Sequence, residues 1–171
     1  MRNWVYQKRS AAMLALLTLV FFSANIQAQD APRAQNRQPP FSLTIRAKEG
    51  EIKSGSLIWV DATVESKSNH AVLVYQATSG DMDQGGWVYQ IDIRNELEGT
   101  PPKTKYAHGL GAGGSGGYVR LDPGKTLVHS VNVSKLYDLN PPGKYTIQFG
   151  RFDRETKTLV RSNTVTVTVT P

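Results

Sequence analysis

Pro141-Pro142-Gly143-Lys144-Tyr145-Thr146-Ile147-Gln148-Phe149 decides how this chain is read. Two prolines and a glycine end a connection. Tyr145, Ile147 and Phe149 then alternate with polar residues, the period of a strand with one buried face. A tyrosine at the first inward position after such a connection is where β-sandwich domains build a tyrosine corner. There the hydroxyl bonds back to the crossover backbone while the ring packs inward. Gly143 and Tyr145 therefore read as structural residues, against the plainer alternative of an ordinary tyrosine at the core edge.

The same period recurs in both directions. Phe41, Leu43, Ile45 and Ala47 alternate with Ser42, Thr44 and Arg46. After a turn at Lys53-Ser54-Gly55, Ile58, Val60, Ala62 and Val64 alternate with Trp59, Asp61, Thr63 and Glu65. Ala71 to Gln76 is a short third strand, and Trp87, Tyr89, Ile91 and Ile93 share a face in the next. Tyr118 to Leu121 stops at the Asp122-Pro123-Gly124-Lys125 turn. Leu127, His129, Val131 and Val133 follow on one face, and Val165, Val167 and Val169 alternate with threonines in the last strand, 164–170. Only Ser134 to Leu139 looks helical, as one capped turn. The fold expected is all-β: an immunoglobulin-like antiparallel β-sandwich of seven or eight strands with one short helical turn, over residues 41–171. Whether the threonine-rich last strand is central or an open edge is not fixed by its pattern.

Three segments together resemble a known family: Leu121 to Lys125, Val131-Asn132-Val133-Ser134-Lys135-Leu136-Tyr137-Asp138-Leu139, and Pro142 to Gln148. They are similar to the immunoglobulin-like secreted domain that accompanies deuterolysin-type zinc endopeptidases. The opening strands, Leu43-Thr44-Ile45 through Val64, fit the same domain. No H-E-x-x-H occurs anywhere in the sequence, so the peptidase half has no counterpart here. The resemblance implies a fold and a compartment, not a reaction.

The N-terminus reads as a secretory signal peptide over residues 1–28. Arg2, Lys8 and Arg9 precede a 14-residue apolar run, Ala11 to Ala24, and a short polar stretch ends on Ala28. A membrane-spanning helix needs about 20 apolar residues, so stable insertion after cleavage is not expected. Residues 29–40, beginning QDAPRAQNRQ, read as a flexible linker. Localisation is expected to be secreted or periplasmic. Cleavage lowers the formal charge from +6 to +3, and the remaining charges are interspersed, which argues against nucleic acid as a partner. The chain has no cysteine, so it holds neither disulfide nor thiolate metal site.

No catalytic constellation is legible, and the chain is not expected to be an enzyme or to need a cofactor. The nearest approach to a metal motif is Asp81, Asp83 and Asp92. These take positions 1, 3 and 12 of an EF-hand count, but the position-5 ligand is missing and Asp92 sits in a strand pattern. Of three histidines, His70 and His108 fall in turns and His129 on an apolar face, with no two at ligand spacing. The glycine run 109–117 lacks the Gly-Lys-Ser/Thr ending of a phosphate loop. With residues 95–108 it forms a long connection, the best hint of a functional surface. Trp59, Tyr106, His108 and Tyr118 are the residues assigned to a possible binding surface, since exposed rings stack on sugars and partner side chains. Asn132-Val133-Ser134 matches a glycosylation acceptor. The function expected is a binding module that contacts a protein or cell-envelope polymer through loops around 95–118. The alternatives are a protease-inhibitor-like or accessory protein and a carbohydrate-binding module.

Overall fold

The computed structural model describes residues 38–77, 88–109 and 116–171. Three strands, β1 (Phe41–Ala47), β3 (Trp59–Ser66) and β7 (Thr126–Asn132), pair antiparallel in the order β1-β3-β7. A second sheet has the order β2-β9-β8-β5, formed by β2 (Glu51–Lys53), β9 (Thr158–Thr170), β8 (Gly143–Asp153) and β5 (Gln90–Asn95). Between β3 and β7 in the chain, β4 (Val72–Ala77) and β6 (Gly116–Leu121) pair as a separate ribbon. The first strand lies on one sheet and its continuation, β2, on the edge of the other. With β9, β8 and β5 beside it, this is the immunoglobulin-like strand arrangement.

Alternation places one face of each sheet in a shared core. Val60, Ala62, Val64 and Val131 from the first sheet, and Ile93, Ile147, Phe149 and Val167 from the second, are fully buried. Burying each valine, isoleucine or phenylalanine among these contributes roughly 1.5–3 kcal/mol before chain entropy is set against it. Tyr145 opens the inward row of β8. Its hydroxyl donates to the Pro141 carbonyl at 2.7 Å, and burial raises its pKa, with Asp138 adding to the shift. Gly143, the residue that turns the chain into β8, has φ +148°. Gly124 sits at φ +71° in the Asp122–Lys125 turn, which Lys125 N–H closes onto the Asp122 carbonyl at 3.0 Å. A side chain is strained at either value.

The long last strand is central, lying between β2 and β8. It begins at Thr158 rather than Thr164 and carries a bulge: Gln148 pairs with Thr164, but Gly150 pairs with Arg161. The extra residue switches the inward parity, so that Ser162 is buried and its hydroxyl accepts from Phe149 N–H at 2.9 Å. Asn163 is turned sideways to β1. Its Oδ1 accepts from Ile45 N–H at 2.8 Å and its Nδ2 donates to the Ile45 carbonyl at 3.0 Å. One side-chain amide thus joins the two sheets at the point where their edges meet.

Several sequence expectations differ from this picture. β2 has no visible period because it is three residues long, and it pairs parallel to β9, so the sandwich is not wholly antiparallel. The helical turn is Val133–Leu136, here α2, rather than 134–139. Asn132 caps it by accepting from Lys135 N–H, and Tyr137 is already extended and bridged to Lys103. A further helix, α1 (Lys105–Gly109), lies in the stretch expected to be loop. Its Thr104 receives Ala107 N–H on its hydroxyl, the hydrogen bond of an N-cap. The stretch from 95 to 118 therefore holds a turn, a bridge, a helix and the start of β6. The signal peptide, most of the linker and residues 110–115 of the glycine-rich run lie outside the described residues. Among the described residues no helix is long and apolar enough to cross a membrane.

Candidate functional site

The residues singled out by sequence do not converge. Trp59 opens β3 opposite Asn132, with the Lys48 ammonium 5.4 Å from its ring centre. Tyr106 lies on α1 with the Lys135 ammonium 4.4 Å from its ring centre, and its hydroxyl is buried without a partner among the described residues. His108 is exposed at the end of the same helix. Tyr118 belongs to β6. No ring contact links any two of these four among the described residues. Asp81 and Asp83 lie outside the described residues. Asp92 is on β5 opposite Gln148, and its carboxylate accepts from Arg94 Nε at 2.9 Å. No group of three or more His, Cys, Asp or Glu side chains suited to a metal is present among the described residues.

Three features carry chemistry instead. The first is the outer face of the β4–β6 ribbon. Leu73 stands opposite Arg120 and Tyr75 opposite Tyr118, so these four side chains share one face. Tyr75 and Tyr118 meet edge to face at 5.5 Å, and the Arg154 guanidinium lies 5.4 Å from the Tyr118 ring centre. Leu73 is 68 % exposed and Tyr118 47 %. Arg120 is tied to Asp122 at 2.8 Å, whereas Arg154 makes no ion pair among the described residues. Gly116 is required here, because a Cβ would collide with the Tyr75 hydroxyl and lie 2.7 Å from the Gln76 carbonyl.

The second feature lies beneath that ribbon, and of its members only His129, expected on an apolar face, was singled out from sequence. Arg151 of β8 is only 5 % exposed. It donates to the Tyr75 carbonyl and, at 3.3 Å, to the Tyr89 hydroxyl, while its guanidinium sits 5.3 Å from the Tyr89 ring centre. Tyr89 and His129 Nδ1 are 2.7 Å apart. Burial lowers the Arg151 pKa and raises that of Tyr89, so the phenol supplies no negative charge. Burial, and then the Arg151 charge, push His129 down from 6.5 to about 4. Its Nε2 is buried without a partner among the described residues. The signal was present in the sequence: continuing the inward row 145, 147, 149 by two reaches Arg151 and then buried Asp153. Both were hidden inside an apparently solvated charge run.

The third feature is a cleft of about 530 Å³ beside Trp59, lined also by Glu49, Glu51, Lys53, Ser56 and Leu57. It combines an indole edge with acceptors and donors of both signs. None of Tyr106, His108 or Tyr118 reaches it.

No family model matches the sequence, and no curated protein matches it. Among solved structures, the chain is similar to a β-glucosidase from Erythrobacter marinus, at 15 % identity and TM-score 0.42, over 77 % of this chain and 16 % of that one. A β-glucosidase from Listeria innocua gives 12 % identity and TM-score 0.38 over 77 % of this chain and 16 % of its own. This chain therefore spans about a sixth of the length of those enzymes. It is also similar to the CARDB domain of a Pyrococcus furiosus protein, crystallised in complex with di-metal ions, at 12 % identity and TM-score 0.42. That match covers 77 % of this chain and 93 % of the domain. Likenesses at this level carry no argument about ligand or activity, and the immunoglobulin-like sandwich stands on its own strand order.

Proposed function

We propose that the chain is an exported, non-catalytic binding module that contacts an acidic protein partner through the outer face of the β4–β6 ribbon. The observation that carries this reading is the exposed Leu73–Tyr75–Tyr118–Arg154 group. Tyrosine and arginine concentrate at interface centres, because both bury large area and keep a polar end for a partner. The Arg154 charge selects for an acidic partner. This face includes residues 116–118, the end of the connection expected from sequence to carry function, and lies on strands rather than on loops. The test is retention of a partner from the extract of the cells that make the protein, competed by soluble polyglutamate. Tyr118→Ala with Arg154→Glu is expected to abolish it while leaving the circular dichroism spectrum intact. Unchanged retention by a folded double variant refutes the reading.

A second reading, a carbohydrate-binding module, is favoured by the cleft beside Trp59. There an indole stands with Glu49, Glu51 and Ser56 as hydroxyl partners. Binding to a glycan panel, lost on Trp59→Ala, supports it; no binding to the panel excludes it. The accessory or protease-inhibitor role keeps a single test, inhibition of a protease panel by the purified protein.

A further inference from the structure

We infer that the Arg151–Tyr89–His129 cluster is a carboxylate-binding site. The cluster holds more hydrogen-bond donors than acceptors. A guanidinium has five N–H groups, and Arg151 places two on protein acceptors, the Tyr75 carbonyl and the Tyr89 hydroxyl. Because the Tyr89 oxygen accepts from Arg151, its own proton is directed to His129 Nδ1, 2.7 Å away. Nδ1 is then the acceptor of a neutral imidazole, so the ring proton sits on Nε2, which is buried without a partner. The hydrogen bonds of the cluster run one way, from Arg151 through Tyr89 to His129, and among the described residues it ends with surplus donors and no acceptor.

The charge inventory agrees. Among the described residues no carboxylate lies within 4 Å of Arg151. The nearest inward acid on the same strand, Asp153, is already engaged, accepting from Glu155 N–H at 3.2 Å, from Thr156 N–H at 2.8 Å and from the Thr156 hydroxyl. A buried arginine is ordinarily paired, since an uncompensated charge away from water is among the costliest arrangements in a fold. A planar carboxylate answers the charge deficit, because its two oxygens take parallel N–H bonds from a guanidinium fork and neutralise its charge. Three different elements hold the donors: β8 for Arg151, the residue before β5 for Tyr89, and β7 for His129. This spans both sheets at the end of the sandwich that the ribbon covers.

The carboxylate has two sources, a free small acid or an acidic side chain of a macromolecular partner, and they are separable by probe. The side-chain N–H resonances of Arg151 Nε and His129 Nε2 are followed in the full chain during titration with sodium acetate, and separately with a hexaglutamate peptide. Sodium chloride at matched ionic strength is the reference. Saturable shifts with acetate assign a site open to free carboxylates. Shifts with the peptide alone assign it to a partner's acidic side chain. Either result supports the site, and His129→Gln is expected to weaken the saturable response several-fold. If neither probe moves either resonance beyond the chloride reference, the proposal is overturned, whether or not the variant folds. The acetate arm is independent of the ribbon reading, since it does not require Tyr118 or Arg154, and the peptide arm is made so by repeating it with Arg154→Glu, which leaves the Arg151 and His129 shifts unchanged if the site is separate.

Discussion

Replacing His129 with glutamine removes one titrating group and keeps a side chain able to receive the Tyr89 hydrogen bond. In the folded protein, burial and the nearby Arg151 hold the imidazole pKa at about 4, down from 6.5. Above pH 6.5 the ring is neutral in both folded and unfolded states, so its contribution to stability is complete and flat. Between 6.5 and 4 the unfolded chain binds a proton that the folded chain refuses, and stability falls as pH falls. The full shift at about 1.4 kcal/mol per pH unit sets a ceiling of roughly 3.4 kcal/mol. The ring is only partly buried, and solvent screening trims this to about 1–2 kcal/mol. Urea unfolding of the wild type and His129→Gln at pH 7.5 and pH 4.5 measures it. Carboxylates that titrate in both proteins cancel in the difference. The wild type is expected to lose about 1–2 kcal/mol more than the variant on acidification. Parallel losses would show that His129 is not held neutral by the fold, and the donor inventory would lose its starting point.

Other perturbations test the frame around that cluster. Tyr145→Phe removes the hydrogen bond to the Pro141 carbonyl and is expected to cost about 0.5–1.5 kcal/mol in urea unfolding, with the strand content unchanged. Asn163→Ala removes both bonds to Ile45 and is expected to cost about 1–3 kcal/mol, lowering the urea midpoint without altering its slope. Gly116→Ala forces β6 away from the Gln76 carbonyl and is expected to cost about 1–3 kcal/mol and to diminish the tyrosine near-ultraviolet dichroism; a neutral result would show that the ribbon does not pack as described.

Strands with a complete inward row were legible residue by residue, because Val60-Ala62-Val64 and Tyr145-Ile147-Phe149 each obey the period of two to the end. What escaped were features that the period does not encode. β2 is too short to show one, and the β9 bulge reverses it, which concealed the inward turn of Ser162. The candidate site was missed for a different reason. Arg151 occupies an inward position by parity, but a charge beside Asp153, Arg154 and Glu155 reads as solvated, and only the pairing of β8 with its neighbours reveals the burial. Trp59, Tyr106 and Tyr118 were chosen as exposed rings, and exposure carries no information about which rings the strand order brings together.

The parallel pairing of β2 with β9 also has a mechanical consequence. β2 lies near the start of the domain and β9 ends it, and the two run side by side in the same direction, Glu51 beside Thr168 and Lys53 beside Thr170. Tension applied to the two ends of the domain pulls these neighbours past one another along their length, so their hydrogen bonds share the load instead of opening in succession. The Asn163 amide adds a second fastening between β1 and β9 on the same line of force. Stretching along these strands therefore loads their hydrogen bonds together, whereas peeling from one edge would load them one at a time.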